Sequence, residues 1–172
     1  IASTPRYAYT QRIYLYNEMA NAFLGQRRLM DAEYWARESV VLAINREGVN
    51  SASSCSALLT LSRIISEQGR QAEAVLLSQA ALKVAQQSTN YSASPLIAAA
   101  RKALATALAA DGKYLPADKV FTEMVEALKG DPEIASRYQS GDLDWAIALV
   151  KTGKASQAEA MTTDMLSKAG AR

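Results

Sequence analysis

The chain has 172 residues, with 49% hydrophobic side chains, 19 basic residues against 17 acidic, and no histidine. That length supports one domain with a real core, and a net charge of +2 lacks the concentrated basic character of a nucleic-acid binder. No apolar run approaches the roughly 18 residues of a membrane helix, so membrane insertion is not expected.

Alanine and leucine dominate and there are only 4 prolines, which favours helices over strands. The first segment, about 7–48, carries Tyr16, Met19 and Phe23 at helical spacing. Ala32, Ala36 and Val40 form the face of a second helix. Arg27 stands between them at the place where later segments have glycine.

The second segment, 51–89, is the most regular. Leu58, Leu61 and Ile65 line a helix that stops at Gly69, and Ala74, Leu77, Ala81 and Val84 line its partner. In the third, 94–130, Ser94 and Pro95 read as an N-cap with proline at the first helical position. Leu104 and Leu108 follow, Gly112 ends the helix, and Ala117, Val120, Phe121, Met124 and Leu128 line the next. Pro116 falls in a first turn, where its missing N–H costs little.

The fourth segment, 132–170, places Trp145, Leu149 and Gly153 before Ala158, Met161, Met165 and Leu166. A short helix from Pro132 is expected to kink at Gly141-Asp142. Polar stretches from Arg46 to Ala52 and from Gln87 to Ala93 read as loops between segments.

Ala32, Ala74, Ala117 and Ala158 recur at spacings of 42, 43 and 41, each at the same place in its helix. A fixed period of this size marks stacked helical hairpins. The expectation is an all-α, right-handed α-solenoid of four helix-turn-helix hairpins. Ile1 is not an initiator residue, so a processed product or a piece of a larger protein is expected.

These segments resemble the tetratricopeptide repeat (TPR), with its pattern W-x2-L-G-x2-Y, A-x3-F and a closing P. The third matches through Leu104, Ala105, Leu108, Gly112, Ala117 and Phe121. The second matches through Leu61, Ser62, Ile65, Gly69, Ala74 and Ala81, and the fourth through Trp145, Ala146, Leu149, Gly153 and Ala158. Met19, Ala20, Phe23 and Ala32 match more loosely in the first. The period exceeds the usual 34 and the closing proline is missing. The long period is similar to that of variants in kinesin light chains and in bacterial proteins that carry a caspase-like CHAT domain. Small residues at Ala20, Ala105 and Ala146 and at the four spaced alanines let paired helices approach closely.

Catalytic chemistry finds little footing. Without histidine there is no Ser-His-Asp or Cys-His arrangement, and no phosphate-cradling glycine loop occurs. One cysteine, Cys55, forms neither an internal disulfide nor a usual zinc site, and no cofactor is expected. It is compatible with a reducing compartment and tilts the expectation to the cytoplasm. Asp142 and Asp144 read as helix-start residues rather than a catalytic pair. Asn90-Tyr91-Ser92 has only the form of a glycosylation acceptor.

The resemblance implies that the first helix of each hairpin lines a concave groove for a protein or peptide partner. The groove-facing candidates are Tyr14, Asn17, Asn21, Leu59, Arg63, Lys102, Thr106 and Lys151. Asparagines suit a peptide backbone, and Arg63, Lys102 and Lys151 suit carboxylates. Lys102, Arg63, Asn17 and Asn21 echo family members that clamp a C-terminal carboxylate, with Thr60 in place of one clamp asparagine. Tyr7, Tyr9, Tyr14 and Tyr16, near Trp35, are either an interface or ordinary packing of the first helix. Rival expectations are a regulatory segment of a larger effector, such as a CHAT-type protease, and self-assembly through exposed ends.

Overall fold

The computed structural model describes residues 6–88, 94–129, 133 and 143–170. Among them are eight helices: α1 (Arg6–Gly25), α2 (Leu29–Glu47), α3 (Ala52–Glu67), α4 (Gln71–Gln87), α5 (Ser94–Ala110), α6 (Tyr114–Leu128), α7 (Leu143–Lys151) and α8 (Ala155–Gly170). They pair as α1–α2, α3–α4, α5–α6 and α7–α8. First helices also touch their successors, α1 on α3, α3 on α5 and α5 on α7, as expected for stacked hairpins.

The same turn closes all four hairpins. Gly69, Gly112 and Gly153 sit at φ of +79, +74 and +80, and Arg27 adopts φ +60 at the matching place. The next amide reaches back to a carbonyl five residues earlier: Arg28 to Phe23, Arg70 to Ile65, Lys113 to Leu108 and Lys154 to Leu149. This is the Schellman closure, in which a left-handed residue lets the chain satisfy the last helical carbonyls. Glycine reaches that conformation without strain, so Arg27 is the costly member of the set.

The four spaced alanines lie where their helices meet their partners. Ala32, Ala74 and Ala117 are fully buried and Ala158 nearly so. Ser62 occupies the small-residue position opposite Ala74, and its hydroxyl donates to the Ala74 carbonyl at 2.9 Å and lies 2.6 Å from Ser78 Oγ. A hydroxyl is tolerated at this crossing because both serines find partners inside it. Phe121, Met124 and Leu128 then fill the core between α5 and α6. Ile64, Ile65 and Leu108 join the larger core that runs through the middle of the stack.

Several elements differ from the sequence expectation. The loop between the first two hairpins is shorter, because α2 continues to Glu47 and α3 starts at Ala52. Ser51 caps the start of α3, its Oγ accepting the Ser54 amide at 3.1 Å. Leu166 points outward where core packing was expected, because no described hairpin follows to cover it. The kink at Gly141-Asp142 and the Asn90-Tyr91-Ser92 triplet lie outside the described residues. So does the side chain of Ser94, although Ser94 does begin α5. No helix of the described residues is long and apolar enough to cross a membrane.

Candidate functional site

A groove runs between α3 and α5, the first helices of the two central hairpins. Leu59 and Arg63 stand four residues apart on one wall, and Lys102 and Thr106 repeat that spacing on the other. Four-residue spacing puts each pair on one helical face. Ala99, Ala103 and Ala107 keep side chains small along α5, which leaves an opening of about 480 Å³ that is mostly apolar inside.

Charge sits at the rim. Arg63 Nη2 donates to Asn21 Oδ1 at 2.5 Å, so α1 holds the guanidinium beside the groove. Lys102 adds a second cation from the facing wall, and Glu67 supplies an acid at one end. Glu67 in turn accepts Arg27 Nη1 at 3.0 Å. The arrangement offers apolar contact on the floor and two cations at the rim, of which Arg63 is held by a hydrogen bond.

The structure therefore brings Leu59, Arg63, Lys102 and Thr106 around one opening and ties Asn21 to it. Asn17 lies elsewhere: it is 7% exposed, and its Oδ1 is buried without a hydrogen bond. Tyr14 and Lys151 are exposed on α1 and α7 and do not line this opening. By repeat register Tyr14 corresponds to Ala99, and Lys151 to Glu67.

The tyrosines divide between packing and exposure. Tyr16 packs on Trp35 with ring centroids 5.1 Å apart, and Arg46 lies 4.3 Å over the Tyr9 ring. Tyr14 stays open to solvent. The side chain of Tyr7 lies outside the described residues.

Two buried acids were not anticipated from the sequence. Glu33 follows Ala32, and Asp118 follows Ala117, in the same register. Glu33 Oε2 accepts from Gln68 Nε2 and Arg70 Nη1, both at 2.8 Å, while Arg37 Nε donates to Oε1 at 2.8 Å. Burial pushes the Glu33 carboxyl up, but those three donors outweigh it and hold it below its ordinary 4.5. Asp118 accepts Lys154 Nζ at 2.6 Å and Trp145 Nε1 at 2.9 Å.

Each acid thus receives the cation that follows the left-handed turn of the next hairpin. The pattern joins hairpin one to two and hairpin three to four. At the middle junction Val75 replaces the acid and is buried instead. An acid directly after three of the four spaced alanines, Glu33, Asp118 and Glu159, was the available signal. It was easy to pass over, because acids early in helices usually serve the helix dipole.

Cys55 is fully buried, its Sγ 3.4 Å from the Ala81 carbonyl, and burial pushes its thiol up to about 11. A thiol so protonated and enclosed is a packing residue, not a nucleophile. Asp144 lies in the first turn of α7, consistent with a helix-dipole contact, while Asp142 is outside the described residues.

No protein-family model matches the sequence, and no curated protein does. Solved structures do share the fold. A putative kinesin light chain of Podosopora anserina with nearly identical TPR-like repeats superimposes with a TM-score of 0.69 at 19% identity, over 90% of this chain and 74% of that one. A single-substitution variant of that protein gives 0.71 at 19% identity, over 90% and 73%. The chain is accordingly a TPR-like, right-handed α-solenoid, in agreement with the expected fold class.

Proposed function

We propose that the chain is a protein-interaction module that receives a short segment of a partner protein in the groove between α3 and α5. TPR-like folds are generally interaction modules and typically act as non-enzymatic scaffolds. The observation that carries the reading is the groove itself, an apolar floor of about 480 Å³ bordered by Arg63 and Lys102. Its two walls belong to packed helices, so little ordering is needed on binding.

The occupant that fits is an amphipathic peptide with apolar side chains against Leu59 and the alanines and an acidic group beside the cations. Asn21 acts by holding Arg63 in place. Tyr14 and Lys151, on the groove face by register, extend the contact along the stack, and Asn17 supports α1 beneath it.

A displayed peptide library selected against the chain tests this. Acidic, leucine-containing peptides are the expected winners, and Arg63→Glu with Lys102→Glu should weaken them at least about tenfold. The variant should keep its helical circular dichroism, since neither position is in the core. Equal binding by the double variant would remove these two residues from the site.

A further inference from the structure

The turn between α1 and α2 departs from its three counterparts at a single residue, and that residue reaches the groove. Arg27 holds a left-handed φ of +60 where the other turns have Gly69, Gly112 and Gly153. Its Nη1 donates to Glu67 Oε2 at 3.0 Å, and Glu67 lines one end of the groove. Stability does not account for the strained backbone. The Arg27 side chain is 73% exposed and that of Glu67 46%, and ion pairs so open contribute little.

Arginine and acid occur together at one junction. The register position of Glu67 is taken by Ala110 on α5 and by Lys151 on α7, and the hairpin before each of them turns on glycine. The turn carries a cation where the next hairpin carries an acid, and glycine elsewhere.

Glu67 also follows Arg63 by four residues on α3, the spacing at which opposite charges on a helix pair. Left to themselves, the two would close on each other at the groove rim. Hairpin one draws them apart: Asn21 Oδ1 accepts Arg63 Nη2 at 2.5 Å, while Arg27 takes Glu67. Arg63 is thereby held by a neutral amide rather than by the nearby acid.

With the groove as the peptide site, a reading on which this one rests, we propose that Arg27 is a positioning residue for acidic partners. It acts through Glu67. By occupying that acid, it leaves the charge of Arg63 for a partner carboxylate and offsets the repulsion that Glu67 would exert on it. The strained turn is kept for this charge.

Arg27→Gly relieves the turn and releases Glu67, so binding should weaken without loss of stability. The melting temperature should hold or rise by up to about 4 °C. The probe is the tightest acidic, leucine-containing peptide from the display selection, labelled for fluorescence anisotropy. Arg27→Gly should bind it about three- to tenfold more weakly. Adding Glu67→Gln should restore affinity to within about twofold of the native chain, because the competing acid is gone. Glu67→Gln alone should bind at least as tightly as the native chain. Suppose Arg63→Glu with Lys102→Glu weakens the peptide and Arg27→Gly does not: the role of Arg27 is then overturned and the groove stands. A double variant that stays weak overturns it equally, since removing an acid does not repair a structural defect. Failure of the native chain to bind any acidic peptide would instead remove the groove reading, and this role with it.

Discussion

Phe121→Ala should lower the unfolding free energy by about 3–5 kcal/mol, the usual cost of deleting a fully enclosed phenylalanine. Phe121 is shared between two hairpins. Within its own it packs with Ala98, Ala105, Met124 and Leu128. Across the junction its ring stacks on Trp145 at 5.4 Å with planes 14° apart. For a chain of this size the loss corresponds to a fall in Tm of roughly 6–20 °C.

The distribution of that loss is as informative as its size. Stacked hairpins are coupled mainly to their neighbours, so damage at one junction need not spread along the array. Hydrogen exchange should quicken most in α6, α7 and α8, while α1 to α4 keep most of their protection. Uniform loss of protection in all eight helices would show instead that the chain folds as one cooperative unit, with no junction acting locally.

Glu33→Ala is the second large effect, expected at about 2 kcal/mol, within the range for charge-assisted hydrogen bonds to a buried acceptor. The variant leaves Gln68, Arg37 and Arg70 without their shared acceptor at the first junction. Arg37 and Arg70 keep Glu73, and both are partly exposed, which holds the loss below that of a fully enclosed ion pair.

This carboxyl also carries a pH signature. Its folded-state value lies below the ordinary 4.5, so the folded chain resists its protonation more than the unfolded chain does. The resulting stability is fully present above pH 4.5 and is lost as pH falls through the lower folded value. Urea titrations at neutral pH and at successively lower pH should show the gap between the native chain and Glu33→Gln narrowing on acidification. A gap that stays constant from neutral pH into that range would rule out the proposed charge state of Glu33.

Much of the fold is legible because helical periodicity is local. Leu61 and Ile65, then Ala74, Ala81 and Val84, announce two buried faces through spacing alone, and the structure buries all five. The glycine turns are legible for the same reason, and the distance of Arg27 from Ala32 marks it as their counterpart. Leu59, Arg63, Lys102 and Thr106 follow too, since the register puts the outer faces of successive first helices side by side.

What the sequence by itself determined is each hairpin: its two helices, the turn that closes it and the small residues at the crossing. What only the tertiary structure decided is how one hairpin meets the next. Glu33 and Asp118 are buried acids because the next hairpin presents donors to them, Gln68 and Arg70 to the first and Trp145 and Lys154 to the second. Leu166 occupies the same helical face as Val125 yet lies open, because no described hairpin packs over α8. Periodicity records which way a side chain faces along its own helix. Whether that direction ends in solvent, in a cation or in another helix depends on residues in the next repeat, and no local pattern encodes it.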